Sequence, residues 1–230
     1  MADPLKFWTP ALAISSLLGI LVFLIGNPGQ DLIVVMILSL VYLWLPLLSG
    51  VVLTEADRVT LVRFLLVLGI TLWMLVDQTP SWTKTAVLVV ALILDGVDGY
   101  IARRGTFSSR HGSVFDMETD SVIMVLLAGL SFGINQQPWF IFAIPLFRPT
   151  FVMLAHNPKR SGRTQQKGSF FGKFVCIFAL CSLVVAVSPP LLAPDFLHGL
   201  IVASIILLTV SFSLPYLQKS PLWVLRRNRY

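Results

Sequence analysis

Charged residues are scarce in this chain. Only 12% of its 230 residues are Asp, Glu, Lys or Arg, whereas 56% are hydrophobic and the mean hydropathy is +0.84. No polar stretch is long enough for a separate soluble domain, and this composition is typical of an integral membrane protein. Cysteine is also rare: Cys176 and Cys181 lie five apart in an apolar run, on different helix faces, which favours small core residues.

Eight apolar runs account for most of the chain. Roughly twenty apolar residues span the hydrocarbon core of a bilayer, and turn-forming clusters separate the runs. The runs do not alternate as β-barrel strands do, so we predict an all-α integral membrane fold of about eight transmembrane helices. No short basic leader with a small-residue cleavage site is evident, so we expect the first run to be a retained helix. The runs cover about residues 10–26, 31–53, 58–77, 82–102, 113–134, 137–156, 170–188 and 196–216.

Lysine and arginine concentrate in alternate connections between these runs and in the C-terminal tail. With eight spans, the basic connections and both termini fall on one side, which the positive-inside tendency identifies as cytoplasmic. Lys84, near the outer end of the fourth run, is the one exception. The formal net charge of +6 is therefore interpreted as a topology signal, and we expect no nucleic-acid partner.

One stretch, residues 95–120, brings several carboxylates into this apolar chain. Asp95 and Asp98 are three apart, and Asp116 and Asp120 are four apart, so each pair shares a helix face. Two antiparallel helices can aim all four at one point, where they must protonate or bind cations. Carboxylate oxygens suit Mg²⁺ or Mn²⁺, and two such ions can clamp a phosphoryl displacement. An ion path and structural pairing with nearby arginines are the alternatives.

Small residues border these aspartates. Gly99, Ala102 and Gly112 keep one helix face bare, so that a bulky ligand can approach the backbone. Arg103 adds a planar fork of donors that suits phosphate oxygens.

Together these residues resemble the signature of the CDP-alcohol phosphatidyltransferase family, D-x2-D-G-x2-A-R-x8-G-x3-D-x3-D. The resemblance implies transfer of a phosphatidyl or phosphoalcohol group from a CDP-linked donor to an alcohol, with release of CMP. It also implies that the four aspartates hold a pair of divalent metal ions, that Asp120 is in addition the base for the acceptor hydroxyl, and that the remaining signature residues border the CDP moiety. All eight fixed positions are filled, by Asp95, Asp98, Gly99, Ala102, Arg103, Gly112, Asp116 and Asp120.

A weaker match lies upstream. The family often carries N-x2-T-x2-R, and Asp57, Thr60 and Arg63 have that spacing, with Asp in the Asn position. We expect Thr60 and Arg63 to help hold the nucleotide or diphosphate of the donor. The alternative is a helix N-terminus with an acidic residue in its first turn.

Basic residues suggest where the acceptor binds. Arg148 lies in the middle of the sixth run, so it should face protein or a water-filled cavity. It is expected either to bind a phosphate or carboxylate of the acceptor or to pair with a core aspartate. Lys167 and Lys173, in a basic and glycine-containing segment, are expected to contact an anionic head group; a plain cytoplasmic flank is the alternative.

The resemblance divides the chain into three parts. It implies a six-helix catalytic membrane domain over residues 54–217, preceded by two further helices in residues 1–53 and followed by a basic cytoplasmic tail, residues 218–230. The first two helices are left to shape a lipid entrance, to pack a homodimer or to pad the core.

We therefore predict a phospholipid-synthesising transferase that uses CDP-diacylglycerol and Mg²⁺ or Mn²⁺. Its active site is expected to open to the cytoplasm of a bacterial inner membrane. The acceptor alcohol is not identified by the sequence. Three alternatives remain: a CDP-choline or CDP-ethanolamine donor with diacylglycerol as acceptor, a membrane prenyltransferase, and a cation transporter with an aspartate site.

Overall fold

A computed structural model describes most of the chain from residue 55 onward. All regular structure in the described ranges is helical, in agreement with the predicted all-α class. The first two predicted runs lie outside these ranges, apart from Ile37. The described residues are 37, 55–104, 110–147, 150, 170–190 and 192–217.

The helices in these ranges correspond to the third to eighth apolar runs. The sixth run begins as a 3-10 helix, Trp139–Phe142, after Pro138 in extended conformation, and residues 143–147 continue as α-helix. Its predicted end lies outside the described residues. The α-helices are Glu55–Val76 (α1), Trp82–Arg104 (α2), Arg110–Gly133 (α3), Phe170–Val187 (α4) and Pro194–Leu217 (α5).

Helix α3 lies at the centre of the described bundle. Every residue from 121 to 131 is buried, on all sides of the helix. Helices α1 and α4 and the 3-10 helix pack against it. A helix that is buried all round belongs in the interior of a bundle, so α3 holds its N-terminal aspartates on a rigid support.

The other helices pack around α3 in pairs. Helix α1 also packs against α2, and α4 packs against α5 and α2. A buried hydrogen bond, donated by the Ser204 hydroxyl to that of Ser182 over 3.0 Å, joins α5 to α4. Helix α1 thus contacts both helices of the aspartate-rich stretch.

Two described segments are long and apolar enough to cross a membrane, Asp57–Val76 and Pro194–Ser213. Shorter apolar helices cover Thr119–Gly133 and Phe171–Val187. Large apolar side chains are exposed on the outer faces of four helices, and a surface of this kind marks contact with a membrane or a partner. Examples are Leu65 and Leu72 on α1, Val90 on α2, Phe174 on α4 and Ile206 on α5. Eight membrane spans remain a prediction.

The turn between α1 and α2 buries a lysine. The Lys84 ammonium donates to the backbone carbonyls of Asp77 and Thr79, over 2.6 and 2.8 Å. It also lies 5.5 Å from the centroid of the Trp73 ring, within the range of a cation–π contact. Lys84, the one basic residue predicted near the outer end of a run, is therefore a buried structural cation.

Candidate active site

Carboxylates from two helices meet at one point in the bundle. Asp95 lies in the second half of α2, and Asp116 and Asp120 lie one turn apart near the start of α3. One carboxylate oxygen from each of the three lies within 4.8 Å of the others. The convergence predicted from the helical spacing is therefore present for these three side chains. The Asp98 side chain lies outside the described residues.

Arg63 of α1 lies among these carboxylates. Its Nη1 donates to the Oδ1 of Asp95. Its Nη2 donates to the Oδ1 of Asp116 over 3.1 Å and to the Oδ1 of Asp120 over 2.7 Å. One guanidinium therefore links α1 to both α2 and α3.

Burial strengthens the electrostatics of this cluster. The Arg63 side chain is only 3% exposed, while those of Asp95 and Asp120 are 22% and 23% exposed. Charges in such surroundings interact more strongly than charges in water. In the described contacts one guanidinium faces three carboxylates, so its single charge does not balance theirs. Such a cluster favours additional cations.

These residues fit a hard divalent metal ion. The donor atoms are carboxylate oxygens, which Mg²⁺ and Mn²⁺ prefer. They are brought together by two helices, and an i, i+4 pair on α3 supplies two of the three. Asp95, Asp116 and Asp120 could hold such an ion in the described part of the site.

Two further residues of α1 share the buried face with Arg63. Asp57 and Thr60 precede it at intervals of three, and all three side chains are buried. Spacing by three keeps them on one side of the helix. The upstream residues predicted to face the donor thus lie on the face of α1 that packs into the bundle.

An apolar cleft adjoins the carboxylates. Arg63, Asp95 and Asp120 line one part of it, and Val67, Leu88 and Leu127 are among its apolar walls. Because Leu88 precedes Asp95 on α2, the apolar part lies toward the α2 N-terminus. The polar part lies toward the C-terminal end of α2 and the N-terminal end of α3.

The other residues predicted to bind the donor or the acceptor lie on α2, α3 and α4 or outside the described residues. Lys173 is exposed near the start of α4, and no described contact joins it to the carboxylates. Gly99, Ala102 and Arg103 lie in the last turns of α2, and Gly112 lies in the first turn of α3; their side-chain surroundings lie outside the description. Arg148 and Lys167 also lie outside the described residues. Cys176 and Cys181 are free thiols.

Sequence reasoning missed the contact between Arg63 and the aspartates. It predicted that Arg63 contacts the donor, and it offered nearby arginines and Arg148 as partners of the carboxylates. A signal was available, because Arg63 lies six residues inside a predicted apolar run. An arginine at such a depth requires a counter-charge within the protein.

Comparison with known proteins gives two matches. The family described as CDP-alcohol phosphatidyltransferase matches residues 53–214. A CDP-diacylglycerol–glycerol-3-phosphate 3-phosphatidyltransferase from Cereibacter sphaeroides is 31% identical over 101 residues. That alignment covers 40% of this chain and 44% of the relative, so the chain spans less than half the length of that curated relative. No solved structure matches the chain.

Proposed function

The chain belongs to the CDP-alcohol phosphatidyltransferase family, and we propose that it transfers a phosphatidyl group from CDP-diacylglycerol to a small alcohol. The family match confirms the resemblance seen in the signature and makes the protein a transferase. In the proposed reaction the acceptor oxygen forms a bond to the phosphorus that carries diacylglycerol. The bond from that phosphorus to the CMP oxygen breaks, and CMP leaves with the electron pair.

The convergence of Asp95, Asp116 and Asp120 carries this proposal. Their oxygens lie within 4.8 Å of one another on two helices that contain the complete family signature. Phosphoryl transfer depends mainly on positioning and on stabilising charge on the phosphoryl oxygens. A rigid group of carboxylates at this point suits that requirement when it holds cations.

The metal site is assigned to the four signature aspartates, Asp95, Asp98, Asp116 and Asp120. A pair of Mg²⁺ or Mn²⁺ ions there would neutralise charge on the diphosphate and on the attacking and leaving oxygens. The carboxylates themselves fix where those charges are held. The central position of α3 supports this assignment, because buried residues 121–131 anchor the helix that carries two of the ligands.

Asp120 is assigned as the base. Its carboxylate accepts the proton of the acceptor hydroxyl as the oxygen attacks phosphorus. The Asp120 side chain remains 23% exposed, so a small polar acceptor can approach its carboxylate.

The donor side is assigned to α1 and to the signature residues around the aspartates. Thr60 and Arg63 contact the nucleotide or diphosphate from the buried face of α1. The acyl chains remain in the bilayer, beside the exposed apolar faces of the helices. We place the catalytic domain at residues 54–217, within a fold of eight spans whose polar site opens to the cytoplasm of a bacterial inner membrane. The family match over residues 53–214 supports that division. Gly99, Ala102, Arg103 and Gly112 complete the proposed donor site.

Glycerol 3-phosphate is the acceptor to test first. The relative from Cereibacter sphaeroides carries that acceptor in its name, and the basic segment before α4 suits an anionic alcohol. Lys173 is exposed there and available to such a ligand, and Arg148 and Lys167 are the other proposed acceptor residues.

The test is CMP release by purified protein supplied with CDP-diacylglycerol, Mg²⁺ or Mn²⁺, and a panel of alcohols that includes glycerol 3-phosphate. Release should depend on one alcohol and fall to background in Asp120→Asn. Asp195→Asn is the matched control, because Asp195 is an exposed aspartate at the start of α5, and it should keep wild-type activity. Release of CMP from CDP-choline or CDP-ethanolamine, and not from CDP-diacylglycerol, would assign a different donor to the protein. Metal flux across vesicles without any CMP release would replace the proposal with a transport function.

A further inference from the structure

The contacts of Arg63 point to a role that precedes donor binding. We infer that Arg63 is a built-in cation that holds Asp95, Asp116 and Asp120 together before a metal ion binds, and that competes with the metal for the same carboxylate oxygens. This inference rests on the metal-dependent function proposed above. It concerns a residue of this chain, and it can be tested in the absence of any substrate.

The geometry places the guanidinium where a metal ion would be attracted. Nη2 of Arg63 is within 3.1 Å of an oxygen of Asp116 and 2.7 Å of an oxygen of Asp120, so one nitrogen bridges both α3 carboxylates. Nη1 donates a hydrogen bond to the Oδ1 of Asp95. Mg²⁺ binds its oxygen ligands at about 2.0–2.1 Å. An ion that used these three oxygens would therefore have to displace the guanidinium nitrogens from them.

Charge reinforces this competition. A guanidinium and a divalent cation repel each other, and at separations of a few ångströms in a partly buried site the repulsion is substantial. Without the guanidinium, three converging carboxylates would repel one another, so the cluster would assemble less readily. Arg63 thus stabilises the metal-free arrangement and weakens metal binding to it.

Because Arg63 is buried, it would remain inside the site, near the donor, after a metal ion displaces it. The Arg63 side chain is 3% exposed and is rooted on a helix that packs against both α2 and α3. It cannot easily turn into water once a metal takes its carboxylates. A buried guanidinium favours contact with anions, and the donor diphosphate is the anion that the proposed reaction brings to this site. Metal loading would then prepare Arg63 for the donor.

The planar guanidinium of Arg63 contacts several carboxylates because its nitrogens are arranged as a fork. Two nitrogens contact three carboxylates at once, which the single ammonium of a lysine does less well. Arg63→Lys should therefore retain charge but hold the cluster less firmly, and Arg63→Met should remove the charge at similar volume.

The experiment is Mn²⁺ titration of detergent-purified, metal-free protein at pH 8, followed by the electron paramagnetic resonance signal of free Mn²⁺. We expect Arg63→Met to bind Mn²⁺ about tenfold more tightly than the wild type or better, with Arg63→Lys between the two. Thermal melting gives a second measurement. Metal-free Arg63→Met should melt below the wild type, and Mn²⁺ should raise its melting temperature by more.

Arg58→Met is the matched control. Arg58 is an exposed arginine on the same helix, so its removal subtracts the same charge from the surface and should change Mn²⁺ affinity little. If Arg63→Met does not fold, Arg63→Lys alone must still bind Mn²⁺ more tightly than the wild type.

The outcomes separate this inference from the function on which it rests. Wild-type protein that binds Mn²⁺, together with Arg63 variants that bind it equally or more weakly, would overturn the inference and leave the transferase proposal intact. Wild-type protein that binds no Mn²⁺, or binds it unchanged after Asp116→Asn, would overturn the proposed metal centre and the inference together.

Discussion

The Lys84 ammonium lies 2.8 Å from the Oδ2 of Asp77, across the turn that joins α1 to α2. The two side chains differ sharply in exposure, at 2% for Lys84 and 44% for Asp77. The other carboxylate oxygen, Oδ1, accepts hydrogen bonds from the backbone amide and the hydroxyl of Thr79. A single ion pair therefore organises the whole turn at the end of the bundle away from the aspartate cluster.

Replacing Lys84 by methionine should lower the stability of the protein without changing its catalytic site. The substitution removes the donor for two backbone carbonyls and for a carboxylate, in a place where the side chain is fully buried. We expect a loss of about 1–3 kcal/mol, measured as a lower melting temperature in detergent. Thr83→Ala, at the exposed neighbouring position, is the control and should stay within about 0.5 kcal/mol of the wild type. Equal melting of Lys84→Met and the wild type would show that the turn is stable without its cation.

The same turn predicts an acid-sensitive contribution to stability. The pKa of Asp77 is lowered from 3.8 to about 2. The largest cause is the hydrogen bond that its carboxylate accepts from Lys84, and the hydrogen bonds from Thr79 come next. A carboxyl whose pKa is depressed in the folded state contributes stability above its unfolded pKa, and this contribution is lost as the pH falls through the folded value. The wild type should therefore melt above Asp77→Asn by a constant margin above about pH 5. That margin should shrink between about pH 4 and pH 2. A margin unchanged down to pH 2 would contradict the assigned pKa.

Helix positions and the sharing of one helix face by neighbouring carboxylates could be predicted because both follow from local spacing. Apolar runs of membrane length located α1 to α5 within a few residues, since such runs have few other stable conformations. Intervals of four placed Asp116 and Asp120 on one face of α3 before any tertiary contact was known. The complete signature then identified the family.

Contacts between distant parts of the chain could not be predicted in the same way. Arg63 meets Asp95 and Asp120 across 32 and 57 residues, and no spacing rule specifies which helix face meets which. The burial of Lys84 also depends on how the chain turns after α1, although its unusual position was a signal. Apolar spacing also did not predict the 3-10 start of the sixth run.

The central position of α3 predicts a clear contrast between two leucines. Leu126 is fully buried in α3, whereas Leu65 of α1 is 47% exposed. Leu126→Ala removes packing contacts and leaves a cavity, so it should cost about 2–5 kcal/mol. Leu65→Ala exchanges one apolar surface facing detergent or lipid for a smaller one and should cost less than about 1 kcal/mol. Thermal or denaturant unfolding of the two variants in the same detergent makes the comparison. Similar losses for both would contradict the central placement of α3.

Removing divalent metal should abolish activity while leaving the helices folded. The carboxylates that are proposed to hold the ions lie on α2 and near the start of α3, whereas residues 121–131 form the buried middle of α3 and include none of them. We expect chelation to reduce CMP release to background and Mg²⁺ or Mn²⁺ to restore it, with far-ultraviolet circular dichroism unchanged throughout. Binding to the folded state alone should also stabilise the protein, by about 2.7 kcal/mol at a metal concentration one hundred times the Kd.

Asp116→Asn separates this stabilisation from general effects of divalent salt. The variant should lose most of the metal-dependent rise in melting temperature, because Asp116 is one of the three converging carboxylates proposed to hold the ion. Asp195→Asn, with the same change at an exposed site on α5, should keep all of it. If both variants gained as much from Mn²⁺ as the wild type, the ion would bind elsewhere. The metal-dependent chemistry assigned to the carboxylate cluster would then have to be abandoned.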